Sequence, residues 1–335
     1  MDILDYMYAK AKADPQRVVF PEAANEKMMQ AAHEAATKGC VIPILAGDAV
    51  DLRELCGRRG LDGRLFSYAD VNDIAYRDDL IERYTKLPGA ILNAKSLARR
   101  MPDPLYFALV MEAVGDADCT FAGIENTTGE VILAGQTIIG LADGVSTISS
   151  IGIFNIPGYE GSEGPLLAFA DSAVCVDPSA EDLASIAITT CDTVKALLGW
   201  EPRCALLSYS TTGSADSPFV DKVRNAVGVA NATRPDLKID GEFQLDTALS
   251  AAVAAKKLTR PSEVAGKANI VIWPDIDAGN IGVKLMQLFA HADAYGPFLQ
   301  GFRKIVSDCS RGASVSELVG SIAISCVRAQ GNRHV

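Results

Sequence analysis

One short segment holds more chemistry than any other. Asp308-Cys309-Ser310-Arg311-Gly312-Ala313-Ser314 sets a hydroxyl, a guanidinium fork and a flexible glycine side by side, with Glu317 one turn into the helical pattern that follows. A planar guanidinium grips a phosphoryl or carboxylate group through two parallel hydrogen bonds. Glu317 is placed to act as a base or to stabilise the start of the helix, and the residues alone favour the helix start. Cys309 is a thiol beside that hydroxyl, but no histidine near it in sequence would activate it.

Two more loops are polar where their surroundings are apolar. Ser208-Tyr209-Ser210-Thr211-Thr212-Gly213-Ser214 follows the apolar run that starts at Arg203. The hydroxyls of Ser208, Ser210, Thr211 and Ser214 and the backbone at Gly213 are groups that hold an anion, though an ordinary capped turn fits equally well. The other loop is Asp275-Ile-Asp277-Ala-Gly279-Asn280, where Gly279 permits close backbone approach and Asn280 can cap or bind. Its two aspartates read as turn residues before they read as a metal pair, so no metal site is expected.

These loops need a scaffold of strands and helices. A helix through Ala13, a strand over Arg17–Phe20, a helix over Glu26–Lys38 and a strand over Val41–Leu45 form the alternation of a parallel sheet. Helices then run from Asp79 to Val114, broken at Pro88-Gly89 and at 101–104. Further strands are expected over Val145–Phe154, Ala168–Val176, Arg203–Ser208 and Asn269–Trp273. Helices are expected from Ser179, over Ala248–Lys257, after Gly279-Asn280 through Phe289, and over Ser314–Arg328.

The chain has 335 residues, room for two domains, and a net charge of -11, which argues against a nucleic-acid partner. Its 8 cysteines form no Cys-x-x-Cys pair and read as reduced, mostly core residues. The three histidines, His33, His291 and His334, give an imidazole triad or a metal site little to work with. No basic segment leads into an apolar core at the start and no apolar run reaches membrane-spanning length. The expectation is a cytoplasmic protein with no membrane partner.

In this order and spacing the loops resemble the phosphate acetyltransferase and phosphate butyryltransferase family, from about Ser162 onward. The similarity runs through Phe169-Ala-Asp171-Ser172, Pro178-Ser-Ala-Glu-Asp182, Leu206–Ala215, Asp240–Asp246 and Val264–Asn269. It continues through Pro274–Ile281, Ala294-Tyr-Gly-Pro297, Gln300-Gly301 and Ser310-Arg311-Gly312, and Phe20-Pro21-Glu22 is similar to the family's opening strand. The resemblance implies an α/β protein with a two-domain isocitrate/isopropylmalate dehydrogenase-like fold, mainly parallel sheets flanked by helices. The first domain would be 1–146 plus 296–335 and the second 147–295, with the active site in the cleft between them, and the assembly would be a homodimer.

The implied reaction is acyl-CoA + phosphate = acyl phosphate + CoA, with acetyl or another short acyl group. Coenzyme A would be a substrate rather than a bound cofactor, and no cofactor is expected to be tightly held. Ser310 and Arg311 match the family residues that serve the transition state, and Glu317 stands where the family has an aspartate proposed to deprotonate the thiol. The physical logic agrees. A thiol needs a base, and the tetrahedral oxyanion needs a hydroxyl and a cation.

The segment 118–135 departs from the family. Asn126 stands at a family histidine and Leu133 at an arginine, while Thr212 replaces a lysine and Ala313 a cysteine. The arginine is one of two implicated in holding coenzyme A, so Asn126 and Leu133 are expected to line a remodelled pocket. If coenzyme A is still the thiol, an arginine put at Leu133 lowers its Michaelis constant at an unchanged turnover number; if the pocket is remodelled for another thiol or acyl group, it buries an unpaired charge. The alternatives on this scaffold are a non-catalytic ligand-binding paralogue and a transferase with another thiol or acyl acceptor. A nicotinamide-dependent dehydrogenase would share only the fold.

Overall fold

The computed structural model describes residues 3–331, so His334 lies outside the described residues. The chain forms two compact units, Met1–Ala142 with Phe302–Val335, and Asp143–Gly301. The first opens with α1 (Ile3–Ala13), β1 (Gln16–Phe20), α2 (Glu26–Thr37), β2 (Val41–Gly47), α3 (Ala49–Arg58) and β3 (Ser67–Asp70). It continues with α4 (Ile74–Thr85), α5 (Ala94–Ala98), α6 (Pro104–Val114), β4 (Cys119–Ala122) and α7 (Thr128–Ile138). The second carries β5 (Ser149–Asn155), β6 (Leu166–Ala170), α8 (Ala180–Leu198), β7 (Arg203–Leu207), α9 (Pro218–Thr233) and β8 (Lys238–Phe243). It ends with α10 (Leu245–Leu249), α11 (Ala251–Lys257), β9 (Ile270–Ile272), α12 (Ile276–Phe289) and β10 (Asp293–Gln300). The chain then returns to the first unit as β11 (Ile305–Asp308) and α13 (Val315–Gly331).

The first unit is built on a five-stranded sheet, ordered β11-β4-β1-β2-β3, and every pairing is parallel. A parallel sheet is covered on both faces, which explains the unbroken apolar run Val18-Val19-Phe20, all fully buried. Asp308 pairs with Ala122, so β11 and β4 end side by side. The loops that follow them, 123–127 and 309–314, therefore leave the same edge of the sheet, the end of a parallel sheet where ligands usually bind. Behind them α13 buries Leu318, Val319 and Ile322 and packs on α1 and α2.

The second unit has a six-stranded sheet, ordered β10-β5-β6-β9-β7-β8, antiparallel at β10-β5 and β5-β6 and parallel elsewhere. Phe154, Phe169 and Trp273 anchor its core, the last two stacked with centroids 5.5 Å apart. Among the described residues no helix is long and apolar enough to cross a membrane.

Several expected elements are trimmed. The strand expected over Ala168–Val176 ends at Ala170, because the Asp171 carboxylate turns the chain by accepting the N–H groups of Ala173, Val174 and Cys175. The helix expected over Ala248–Lys257 is interrupted at Ser250, which caps α11 through Val253 N–H. Gly279 and Asn280 lie within α12 rather than ahead of it, since Asp275 caps that helix at Ala278 N–H. Strand β10 spans position 296, where the sequence reading returned to the first domain.

Candidate active site

In the first unit the chain leaves β11 at Asp308 and makes an open turn before α13. Ser310 and Arg311 are exposed on that turn. Ser310 Oγ accepts the Gly312 N–H at 3.3 Å and Ser310 O accepts Ala313 N–H at 3.0 Å. Lys27 on α2 clamps the far side by donating its ammonium to Ala313 O at 3.1 Å. The Arg311 charge is felt by Glu130 on α7 and by Asp308.

Glu317 is committed elsewhere. Its carboxylate accepts both the backbone N–H and the hydroxyl of Ser314, at 2.7 and 2.8 Å, while Ser314 Oγ accepts Glu317 N–H at 3.3 Å. This reciprocal pair is a capping box. The Ser314 N–H and hydroxyl hold the Glu317 carboxyl below the usual carboxylate range, which makes it a weak base. Cys309 is pushed the other way: burial, Glu22 and Asp308 raise its pKa far above that of an ordinary thiol. A thiol kept protonated in this way is a poor nucleophile.

The segment that departs from the family places Leu133 and Asn126 differently. Leu133 sits on the outer face of α7, 60% exposed, so an arginine there would reach water rather than bury a charge. Asn126 faces Glu22, which is 4% exposed. Glu22 Oε1 accepts the Asn126 N–H and Nδ2 at 2.8 and 2.7 Å, and Oε2 accepts Ile124 N–H at 2.7 Å. Glu22 thus fixes the loop after β4. Gly123 is the tightest point of that loop. Its φ is +105, and a Cβ there would stand 2.1 Å from Asp308 Oδ1 and 2.6 Å from Cys309 N.

In the second unit the Ser208 turn does hold an anion, but that anion belongs to its own chain. Glu242, 2% exposed, accepts Ser210 Oγ and Gly213 N–H, both at 2.9 Å, and Arg224 Nε at 3.2 Å. Burial pushes the Glu242 pKa up, but Gly213 N–H, Arg224 and Ser210 outweigh it and hold the group below its usual range. Thr211 Oγ1 accepts Gln244 N–H at 2.9 Å and Ser214 Oγ accepts Thr211 N–H at 3.0 Å, while Ser208 Oγ takes Ser210 N–H at 3.1 Å. Each of these groups thus has a partner within the second unit. Ser210 and Thr211 are buried, and Gly213 and Ser214 are exposed.

Gly279 and Asn280 meet the turn that follows β6. A Cβ on Gly279 would lie 2.4 Å from Asp171 O, and Asn280 Nδ2 donates to Ser172 O at 3.3 Å. Glu22, Glu242 and Asp171, none of them expected among the site residues, are three carboxylates that organise loops. Their signal was position, each standing at or just after the end of a strand. Among the described residues no group of three or more His, Cys, Asp or Glu side chains is gathered as a metal ion would require.

Known proteins match the chain along its length. A phosphate acetyltransferase of Clostridium acetobutylicum is 39% identical over 337 residues, spanning 98% of this chain and 99% of that one. The crystal structure of a phosphotransacetylase from Streptococcus pyogenes superposes with a TM-score of 0.90 at 32% identity, covering 98% of each chain. The fold extends to 4-hydroxythreonine-4-phosphate dehydrogenase from Klebsiella pneumoniae, with a TM-score of 0.54 at 13% identity over 95% of this chain and 100% of that one. This bears out an α/β architecture related to dehydrogenases. The family described as phosphate acetyl/butaryl transferase matches residues 2–326, and the chain belongs to that family.

Proposed function

We propose that the chain catalyses reversible acyl transfer between coenzyme A and inorganic phosphate, with acetyl or another short acyl group. Membership of the family supports the reaction class, and relatives named phosphate acetyltransferase support acetyl as the first group to test. The observation that carries the reading to residues is the exposed Ser310-Arg311 turn, which leaves the sheet edge next to the loop after β4. Arg311 would hold the phosphate through two parallel hydrogen bonds, and with Ser310 would stabilise the tetrahedral oxyanion. Acyl transfer of this kind asks for no prosthetic group, and coenzyme A enters as a substrate. In the second unit the exposed positions Gly213 and Ser214 are the parts of the Ser208 turn proposed to touch substrate. Ser208, Ser210 and Thr211 hold that turn, as Gly279 and Asn280 hold the backbone at Asp171 and Ser172.

Substrates of this kind, together with reduced thiols, support a cytoplasmic placement. A homodimer is supported by α12, which exposes Ile281, Leu285, Leu288 and Phe289 at helical spacing. Thioester formation from coenzyme A and a panel of short acyl phosphates, followed by absorbance, tests the reaction. Turnover with none of them refutes it, and coenzyme A binding without turnover would identify a non-catalytic paralogue.

A further inference from the structure

The Ser310-Arg311 turn is bordered by a hydroxyl–carboxylate pair. Thr128, the first residue of α7, is exposed and donates its hydroxyl to Asp308 Oδ2 at 2.6 Å. The other oxygen, Asp308 Oδ1, is shielded from solvent and has no hydrogen-bond partner among the described residues. It is held under Gly123, where no side chain fits. Asp308 is two positions before Ser310, and its carboxylate is in the field of Arg311. Glu317, by contrast, has its carboxylate closed on Ser314. We propose that the Thr128–Asp308 pair, rather than Glu317, accepts the proton of the attacking thiol.

This inference rests on the acyl-transfer reading above. As the S–H bond breaks, its proton passes to Thr128 Oγ while the Thr128 hydroxyl proton passes to Asp308 Oδ2. The sulfur lone pair forms the C–S bond at the acyl carbon, and the C–O bond to phosphate breaks with its electron pair going to phosphate. The proton held on Asp308 returns through the same hydroxyl to phosphate or water. The reverse reaction retraces these steps.

The electrostatics fit the role. Burial and the nearby Glu22 charge push the Asp308 carboxyl up to about 6, against the Thr128 hydroxyl and the Arg311 charge. Glu22 faces it from the turn after β1 and Arg311 from the turn after β11. Glu130 on α7 lies within the field of Arg311, and Lys27 on α2 within that of Cys309. A thiol loses its proton near about 8.5, so a base titrating near neutrality takes it over a smaller gap than a carboxylate held below its usual range.

The test uses the full chain as wild type, Asp308→Asn, Thr128→Val and Glu317→Gln, each with a melting curve. Thioester formation from acetyl phosphate and coenzyme A is followed between about pH 5 and 9. The expected wild-type kcat/KM falls on the acid side as Asp308 becomes protonated. Asp308→Asn should lower kcat by about 100-fold or more, keep the KM for acetyl phosphate within about twofold, and abolish that acid limb. Thr128→Val should lower kcat by at least about tenfold in a protein that still folds with a cooperative melting curve, while Glu317→Gln should retain the acid limb. An acid limb kept in Asp308→Asn, or lost in Glu317→Gln, overturns the proposal. If Asp308→Asn does not fold, a full-rate Thr128→Val, altered only at an exposed position, overturns it instead. A wild type inactive on every short acyl phosphate refutes acyl transfer and this inference together, whereas an active wild type with an unaffected Asp308→Asn refutes only this inference.

Discussion

Replacing Gly123 with alanine tests how the loop after β4 is tied to the Ser310-Arg311 turn. Gly123 has φ +105, and the added Cβ would lie 2.6 Å from Cys309 N and 2.7 Å from Cys309 O, backbone atoms that cannot swing aside. The backbone conformation alone costs about 1–3 kcal/mol for a residue with a Cβ. Relieving the clash means pulling Cys309 off β4 and losing its 3.0 Å hydrogen bond to Ala122 O, worth about 1 kcal/mol more. A loss of about 2–4 kcal/mol corresponds to a melting temperature about 5–15 °C lower for a domain of this size. Because the displaced atoms lead straight into Ser310, kcat should fall by about tenfold or more even where the protein is folded. The control is Gly129→Ala, on the first turn of α7, where the nearest atom is Thr127 Oγ1 at 4.0 Å. That change should raise stability by about 0.5–1 kcal/mol and leave the rate alone. Calorimetry and steady-state rates on the two variants decide the matter. If Gly123→Ala melts within about 2 °C of wild type with an unchanged kcat, the coupling argued from this geometry is wrong.

Arg311→Ala should remove turnover while leaving the melting curve in place, since the side chain is exposed; Ser310→Ala should slow turnover less, because a neutral hydrogen bond contributes less than a charged one. Near-normal turnover in Arg311→Ala would remove it from the chemistry. Leu133→Arg should lower the KM for coenzyme A at constant kcat with no loss of stability, because the position is 60% exposed; a lower melting temperature would show the residue to be packed after all. Asp308→Asn should stabilise the protein at neutral pH. With the folded pKa raised to about 6, the native state binds the proton more tightly than the unfolded chain, so wild-type stability falls as pH rises from about 4 to 6. The gain from the substitution should therefore be present at pH 8 and vanish near about pH 4, and a gain that is largest in acid would reverse the assignment.

The long apolar strands and helices were legible in the sequence because burial writes itself into consecutive residues. Val18-Val19-Phe20 and the apolar face of α13 are examples. Strands β3 and β4 were not legible. Ser67-Tyr-Ala-Asp and Cys119-Thr-Phe-Ala are four residues each, too short for a period to show, and each mixes polar with apolar residues. Thr120, for instance, is fully buried and donates to Glu112 at 2.7 Å. In the candidate site the Ser310-Arg311 turn could be read as a motif because its groups are adjacent. Glu22 meets Ile124 and Asn126, and Asp308 meets Thr128, across separations that no local spacing encodes. For Glu317 the residue type was informative but its partner, Ser314, was local, and the Ser208 turn is filled by Glu242 of β8, distant in sequence. The same hydroxyls and carboxylates that suit a ligand also suit a helix start or a neighbouring glutamate.

The route of the chain also has a consequence for biosynthesis. The second unit is one continuous stretch, whereas β11 and α13 of the first unit are made only after all of it. As the chain emerges from the ribosome, the second unit can close on itself early. β4 and α2 must meanwhile wait with an unpaired edge and an uncovered apolar face until β11 and α13 arrive. The segment carrying Ser310 and Arg311 is among these late arrivals. A chain that stops just after Gly301 would contain a finished second unit and no Ser310-Arg311 turn, with the β4 edge still open to pairing with another chain.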